Sequence, residues 1–161
     1  MVEIRQIKRT EYDAAMNLAW CTFLQFEADV YTKQGVLNFQ NFIRDPLLER
    51  MFFLGEYLIF GAFLEGELVG IAGVRNRSHL SLLFVKKEHH RMGIGSALVA
   101  FAIQHCHKEF KAKRYTVNSS PYAVEFYHRF GFGDVSEQIT RDGIIYTPME
   151  YYIGKESGDK K

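Results

Sequence analysis

The sequence predicts an α/β domain of the α+β kind, with a mixed, largely antiparallel sheet flanked by helices in the order β-α-α-β-β-β-α-β-α-β-β. Three observations point there. Apolar runs of strand length come in consecutive pairs around the turns Glu65-Gly66 and Arg141-Asp142-Gly143, which makes hairpins and therefore antiparallel pairing. Longer segments with an apolar period of 3.6 residues precede and separate those pairs. A chain of 161 residues with 47% hydrophobic and 15% aromatic content is sized for one ordinary core, so residues 1–154 are expected to form a single domain and 155–161 a disordered polar tail.

The elements follow in order. Val2 to Ile7 alternates apolar with polar and reads as a strand. Thr10 offers an N-cap, with Glu11 and Asp13 in the first turn, and Tyr12, Met16, Ala19, Trp20, Phe23 and Phe26 then share one helical face. A shorter helix covers Val36 to Ile43 and ends at Asp45-Pro46; Leu47 to Gly55 is ambiguous, with a helical turn under the sheet as one reading. Tyr57 to Leu64, Leu68 to Val74 and His79 to Val85 are strands. Gly93 to Phe110 is a helix with two apolar stripes, one through Ile94, Ala97, Leu98, Phe101 and Ala102, the other through Val99, Ile103, Cys106 and Phe110. After a short strand at Arg114 to Val117, Ser120-Pro121 starts a helix that Gly131 closes. Phe132 to Gln138 and Ile144 to Tyr152 are the last strands.

Net charge is +1, without the basic surplus of a sequence-independent nucleic-acid binder. The charged stretch MVEIRQIKRTEYD does not read as a signal peptide, and no apolar run approaches the ~18 residues of a membrane span. Cys21 and Cys106 are isolated thiols, which favours a reducing compartment and hence the cytoplasm. Neither nucleic acid nor membrane is an expected partner.

The segment LFVKKEHHRMGIGSALV, Leu83 to Val99, carries the chemistry. A strand, a charged loop and Gly93-Ile94-Gly95 lead into a helix whose first-turn N–H groups and dipole suit an anionic phosphate, with Lys86, Lys87, His90 and Arg91 adding positive charge nearby. A flexible loop with solvated charges is the alternative. A Rossmann dinucleotide site fits poorly, because the third glycine and the preceding βαβ unit are missing.

This segment resembles the acyl-CoA-binding motif of the GNAT N-acetyltransferase superfamily, and VNSSPYAVEFYHRFGF, Val117 to Phe132, resembles that family's later Asn…Phe-Tyr-x-x-x-Gly-Phe segment at the family's spacing. His90 stands where Gln or Arg is usual. The resemblance implies acetyl-CoA as co-substrate and no metal. It implies that the backbone of Leu83, Phe84 and Val85 pairs with the pantetheine arm, and that His90, Arg91, Met92, Gly93, Ile94, Gly95 and Ser96 hold the pyrophosphate. It also implies that Asn118 contacts the pantetheine amides and that Tyr127 protonates the departing thiolate.

The residues carry their own weights. A tyrosine phenol stays protonated at neutral pH and can donate to a thiolate, although Tyr127 would equally serve as one more core aromatic. Asn118 could simply make a turn. Direct attack needs a neutral amine and so a base or a water relay: His79 titrates in the useful range, and Glu27 falls near the end of the first helix, on what the resemblance makes the acceptor side. Each has a structural reading as well. His105 and His107, two apart on a helix, cannot chelate together, and His89 and His90 lack partners at ligand spacing, so no metal site is expected. Phe23, Phe26, Phe39, Phe42, Phe52 and Phe53 belong to the core, an acceptor pocket or a homodimer face. The expected activity is N-acetylation of a primary amine on a small molecule or peptide; a non-catalytic CoA-binding regulatory or scaffold domain is the alternative.

Overall fold

The alternation of Val2 and Ile4 with Glu3 and Arg5 falls in β1 (Val2–Gln6), which lies antiparallel to β2 (Tyr57–Leu64). At the first hairpin Glu65 and Gly66 both take left-handed backbone (φ 51° and 85°), the twist that a two-residue turn between paired strands needs. The chain returns as β3 (Glu67–Arg75) and turns again into β4 (His79–Val85). The remaining strands are β5 (Arg114–Ser119), β6 (Gly133–Asp134), β7 (Ile139–Arg141) and β8 (Ile144–Tyr152). This computed structural model describes residues 1–154; the tail expected at 155–161 lies outside the described residues. The sheet runs β1-β2-β3-β4-β5-β8-β6, with β7 on β8, and only the β4–β5 pairing is parallel.

Helices cover both faces. α1 (Tyr12–Phe26), α2 (Lys33–Ile43) and α3 (Pro46–Phe53) close a core that includes Phe23, Tyr57, Ile59, Ile71, Leu82 and Phe84. α4 (Ile94–Phe110) and α5 (Val124–Phe130) close the opposite core, with Phe60, Leu98, Val99, Cys106, Val117, Tyr127 and Met149. The two expected stripes of α4 merge into one broad buried face, and Ala97 is exposed.

Several boundaries differ from expectation. Thr10 does not cap α1: it lies in a short 3-10 turn, and Glu11 ties that turn by accepting from the Lys8 N–H at 2.6 Å and pairing with Arg5 at 2.9 Å. Leu47 to Gly55 resolves into α3, because Asp45 accepts from the Leu47 N–H at 2.9 Å and Pro46 sits at the first helical position. α2 starts at Lys33, three residues before Val36, capped by Thr32. The strand expected from Phe132 to Gln138 pairs only at Gly133–Asp134. Val135 N–H still donates to the Pro148 carbonyl at 2.8 Å, but Pro148 has no N–H to return, and the ladder stops.

The feature that positions a site is a parting of the sheet. β4 and β5 pair only through His79↔Thr116 and Leu80↔Val117. Just beyond, the β3–β4 register slips, with Leu80 opposite Val74 and Leu82 opposite Gly73, so Ser81 is an extra residue. The buried Tyr57 phenol pins it, 2.7 Å from the Ser81 hydroxyl. Leu80 therefore faces the α4 core, whereas Leu82 and Phe84 face the α1 core. From Ser81 to Val85, β4 has β3 on one side and no strand on the other.

Candidate active site

Beyond the free edge of β4 the chain passes through Lys86 to Met92 and enters α4. Gly93 is the N-cap at φ 77°, a left-handed position that glycine takes without strain, and no side chain caps the helix. The first-turn N–H groups of this 17-residue helix are thus left to an anion, and no acidic residue stands in that turn. They open on a cleft of about 430 Å³ lined by Leu83, Phe84, Val85, His90, Arg91, Gly93, Ile94, Gly95 and Ser96 from this segment, and by Phe26, Glu27 and Phe126 across it. Gly95 allows a close approach, since a Cβ there would come within 3.3 Å of the Phe126 ring. Met92 is half exposed and does not line the cleft. Lys86 is held by Glu67 at 2.9 Å beside a different groove, while Arg129 of α5 joins Arg91 at the cleft.

His90 has a particular place. Its Nε2 lies 2.7 Å from the Val85 carbonyl, which can only accept, so that nitrogen carries the proton. The ring packs on Phe26, with centroids 4.8 Å apart, and Phe26 stacks in turn on Tyr122. His90 thus ties the loop back to the end of β4.

A second cavity, of about 180 Å³, lies where β4 and β5 part. Phe23, Tyr31, Phe39, Tyr127 and Ile144 line it, with the polar groups of Asn118, Ser119 and Ser120. Cleft and cavity share four residues: Glu27, Leu83, Phe84 and Ala123. Their junction is the one place where a ligand along the β4 edge meets a ligand in the cavity.

Glu27 stands at that junction because α1 ends there, the Glu27 N–H closing the last turn on the Phe23 carbonyl at 2.9 Å. Burial pushes its carboxyl up from the ordinary value to about 7, and the facing Ser120 hydroxyl partly offsets the rise. That hydroxyl is buried and makes no hydrogen bond of good geometry with the protein. Tyr127 is 4% exposed, and burial, with the Glu27 charge as a second cause, pushes its phenol well above the ordinary range. Burial and the same charge raise Tyr31. Near neutral pH the junction therefore holds a carboxyl able to take a proton, and the cavity wall holds a phenol that keeps one.

His79 is placed elsewhere. It opens β4 at the end remote from the cleft, Nδ1 2.8 Å from the Thr116 hydroxyl, and lines neither opening. Burial and then Arg75 lower its pKa. Of the aromatics, Phe23, Phe26 and Phe39 reach the two openings; Phe52 and Phe53 pack on Tyr12. Sequence reasoning missed Ser120 as a site group, having taken it for a cap, and missed Tyr31, Arg129 and the Tyr57–Ser81 pin. Only the Ser-Pro dipeptide hinted at the first. Among the described residues no group of three or more His, Cys, Asp or Glu is placed to hold a metal ion, and no helix is long and apolar enough to cross a membrane.

The acetyltransferase (GNAT) domain model matches residues 27–153, which includes both the loop before α4 and the Asn118 to Phe132 segment. The chain belongs to the GNAT acetyltransferase family. The GNAT fold is equally plain in solved structures. A GCN5-related N-acetyltransferase from Rhodopseudomonas palustris superposes with a TM-score of 0.79 at 19% identity, over 94% of this chain and 95% of that one. The PaiA N-acetyltransferase of Thermoplasma acidophilum, in complex with coenzyme A, gives 0.73 at 20% identity over 94% and 99%. YncA of Salmonella typhimurium, with its cofactor acetyl-CoA, gives 0.70 at 16% identity over 99% and 98%. No curated protein sequence matches the chain.

Proposed function

We propose that this GNAT chain binds acetyl-CoA in the cleft and transfers its acetyl group directly to a primary amine held in the cavity. The observation that carries the reading is the junction: Glu27, its carboxyl raised to about 7, stands where the two openings meet, and the protonated Tyr127 phenol lines the cavity. The cleft fits the co-substrate, with a strand edge free of a partner for an amide-bearing arm and an uncapped helix start with Arg91 for a pyrophosphate.

Acetyl-CoA supplies an activated thioester, whose C–S bond is exchanged for a C–N bond to the amine. Backbone N–H groups of β4 polarise the carbonyl. Glu27, as carboxylate, takes the proton that the amine nitrogen must lose. The Tyr127 phenol gives its proton to the leaving sulfur, and the proton on Glu27 then passes to the Tyr127 phenolate, which restores both groups. Asn118, exposed on β5, lines the cavity and not the cleft, so on this reading the pantetheine amides are left to the β4 edge. His79 lines neither opening and is assigned a structural role. The unpaired Cys21 and Cys106 support a reducing compartment such as the cytoplasm.

The test is thiol release from acetyl-CoA with weakly basic amines, so that the acceptor does not titrate in the range scanned. The rate at saturation should rise with pH through about 7 as Glu27 ionises, and that limb should vanish in Glu27→Gln. A limb that persists in the variant refutes Glu27 as the base.

A further inference from the structure

The cavity's walls narrow the acceptor further, granted the transfer reading above. Five aromatic residues stand in them, Phe23, Tyr31, Phe39, Phe84 and Tyr127: Phe23 and Phe39 stack at 4.2 Å with 20° between planes, Tyr31 tilts on Phe23 at 5.3 Å, and Phe39 meets Phe84 edge-on at 5.8 Å. One carboxyl lines the cavity, that of Glu27. A polyamine or amino sugar brings several ammonium or hydroxyl groups, each costly to bury without its own partner. The volume, about 180 Å³, is below the ~300 Å³ at which pockets for drug-sized ligands begin.

A clasp holds two of its walls together. The Thr32 N–H donates to the Gly143 carbonyl at 3.3 Å, and Asn38 Nδ2 donates to the Asp142 carbonyl at 3.1 Å. The backbones of Gly35 and Gly143 lie so close that a Cβ on either would collide with the other element. The clasp joins the α2 region, source of Tyr31 and Phe39, to the β7–β8 turn, source of Ile144.

We propose that the acceptor is a compact primary monoamine on a flat apolar body, of phenylethylamine size, with its ring among Phe23, Tyr31 and Phe39 and its nitrogen at Glu27. Ser120, whose buried hydroxyl faces Glu27 and makes no other hydrogen bond in the protein, has lone pairs left to accept a second N–H from that nitrogen.

The test titrates the CoA-bound protein by calorimetry with 2-phenylethylamine, spermidine and a short glycine-rich peptide, and measures thiol release from acetyl-CoA with each. Phenylethylamine should bind about tenfold or more tighter than the other two, and kcat/KM should rank them the same way. Gly35→Ala favours the helix but pushes the β7–β8 turn away, and should shrink that preference severalfold. Failure of phenylethylamine to bind, or tighter binding of spermidine or peptide, overturns the inference. Thiol release with spermidine or peptide alone overturns it while leaving acetyl transfer intact. Phenylethylamine binding without thiol release from any amine supports the ligand class and refutes the transfer reading.

Discussion

The cleft and the cavity meet at Glu27, yet they are made of different material. The cleft is backbone: a strand edge without a partner, the uncapped start of α4, and glycines at 93 and 95. The cavity is side chains from α1, α2, β5 and α5, which only the fold brings together. A backbone site tolerates changes in nearby side chains, and a side-chain site does not. The same contrast separates binding from chemistry. Variants of loop side chains should change affinity modestly, whereas variants at the junction should change turnover sharply.

The largest effect is expected at Glu27. Glu27→Gln should lower kcat about 10²- to 10³-fold, within the range of general-base losses, with acetyl-CoA affinity by calorimetry nearly unchanged. Stability should move the other way. Burial raises this carboxyl to about 7 in the folded chain against an ordinary 4.5, so folding gains from the protonated form at low pH and loses that gain as pH rises through about 7. Glu27→Gln should melt close to wild type in mildly acidic buffer and several degrees higher at about pH 8.5. A variant less stable at both pH values would show that the carboxyl serves packing.

Tyr127→Phe comes next. It keeps the ring between Phe126 and Phe132 and deletes the hydroxyl, and should lower kcat about 10- to 100-fold, since a thiol leaves partly unaided. A loss confined to acetyl-CoA affinity would move Tyr127 from the chemistry to the cleft.

On the cleft side, Gly95→Val overpacks the contact with Phe126, at a cost of about 1–3 kcal/mol, and should weaken acetyl-CoA binding by about tenfold or more. His90→Ala removes one hydrogen bond to the Val85 carbonyl, worth about 1 kcal/mol, and should weaken it only about fivefold. The reverse order, measured by calorimetry, would break the contrast between backbone and side-chain sites. At the small end, His79→Gln should leave kcat and its pH profile unmoved. A lost limb there would return the base to His79.

The elements that were legible carry their instructions locally. The turns at Glu65-Gly66 and Asp142-Gly143 place their hairpins, and the stripes of α1 and α4 find the two cores. The cleft residues from Leu83 to Ser96 were legible too, because strand, glycine and helix start are consecutive and backbone amides need no partner from afar. The strand expected over Phe132 to Gln138 was misjudged because the missing N–H, that of Pro148, belongs to another strand.

By itself the sequence determined the order of elements apart from α3 and β7, the phosphate-suited loop and the candidates Tyr127, Glu27 and His79. Only the tertiary structure placed them. Glu27 and His79 are both titratable, and nothing local distinguishes them; burial at the junction raises one to about 7, while hydrogen bonding to Thr116 at the far end of β4 occupies the other. The parting of β4 from β5 was likewise invisible, since it depends on an extra residue at Ser81 held by Tyr57, 24 positions away in the chain. Proton affinity and strand pairing are set by what surrounds a residue, and those surroundings come from chain segments that meet only on folding.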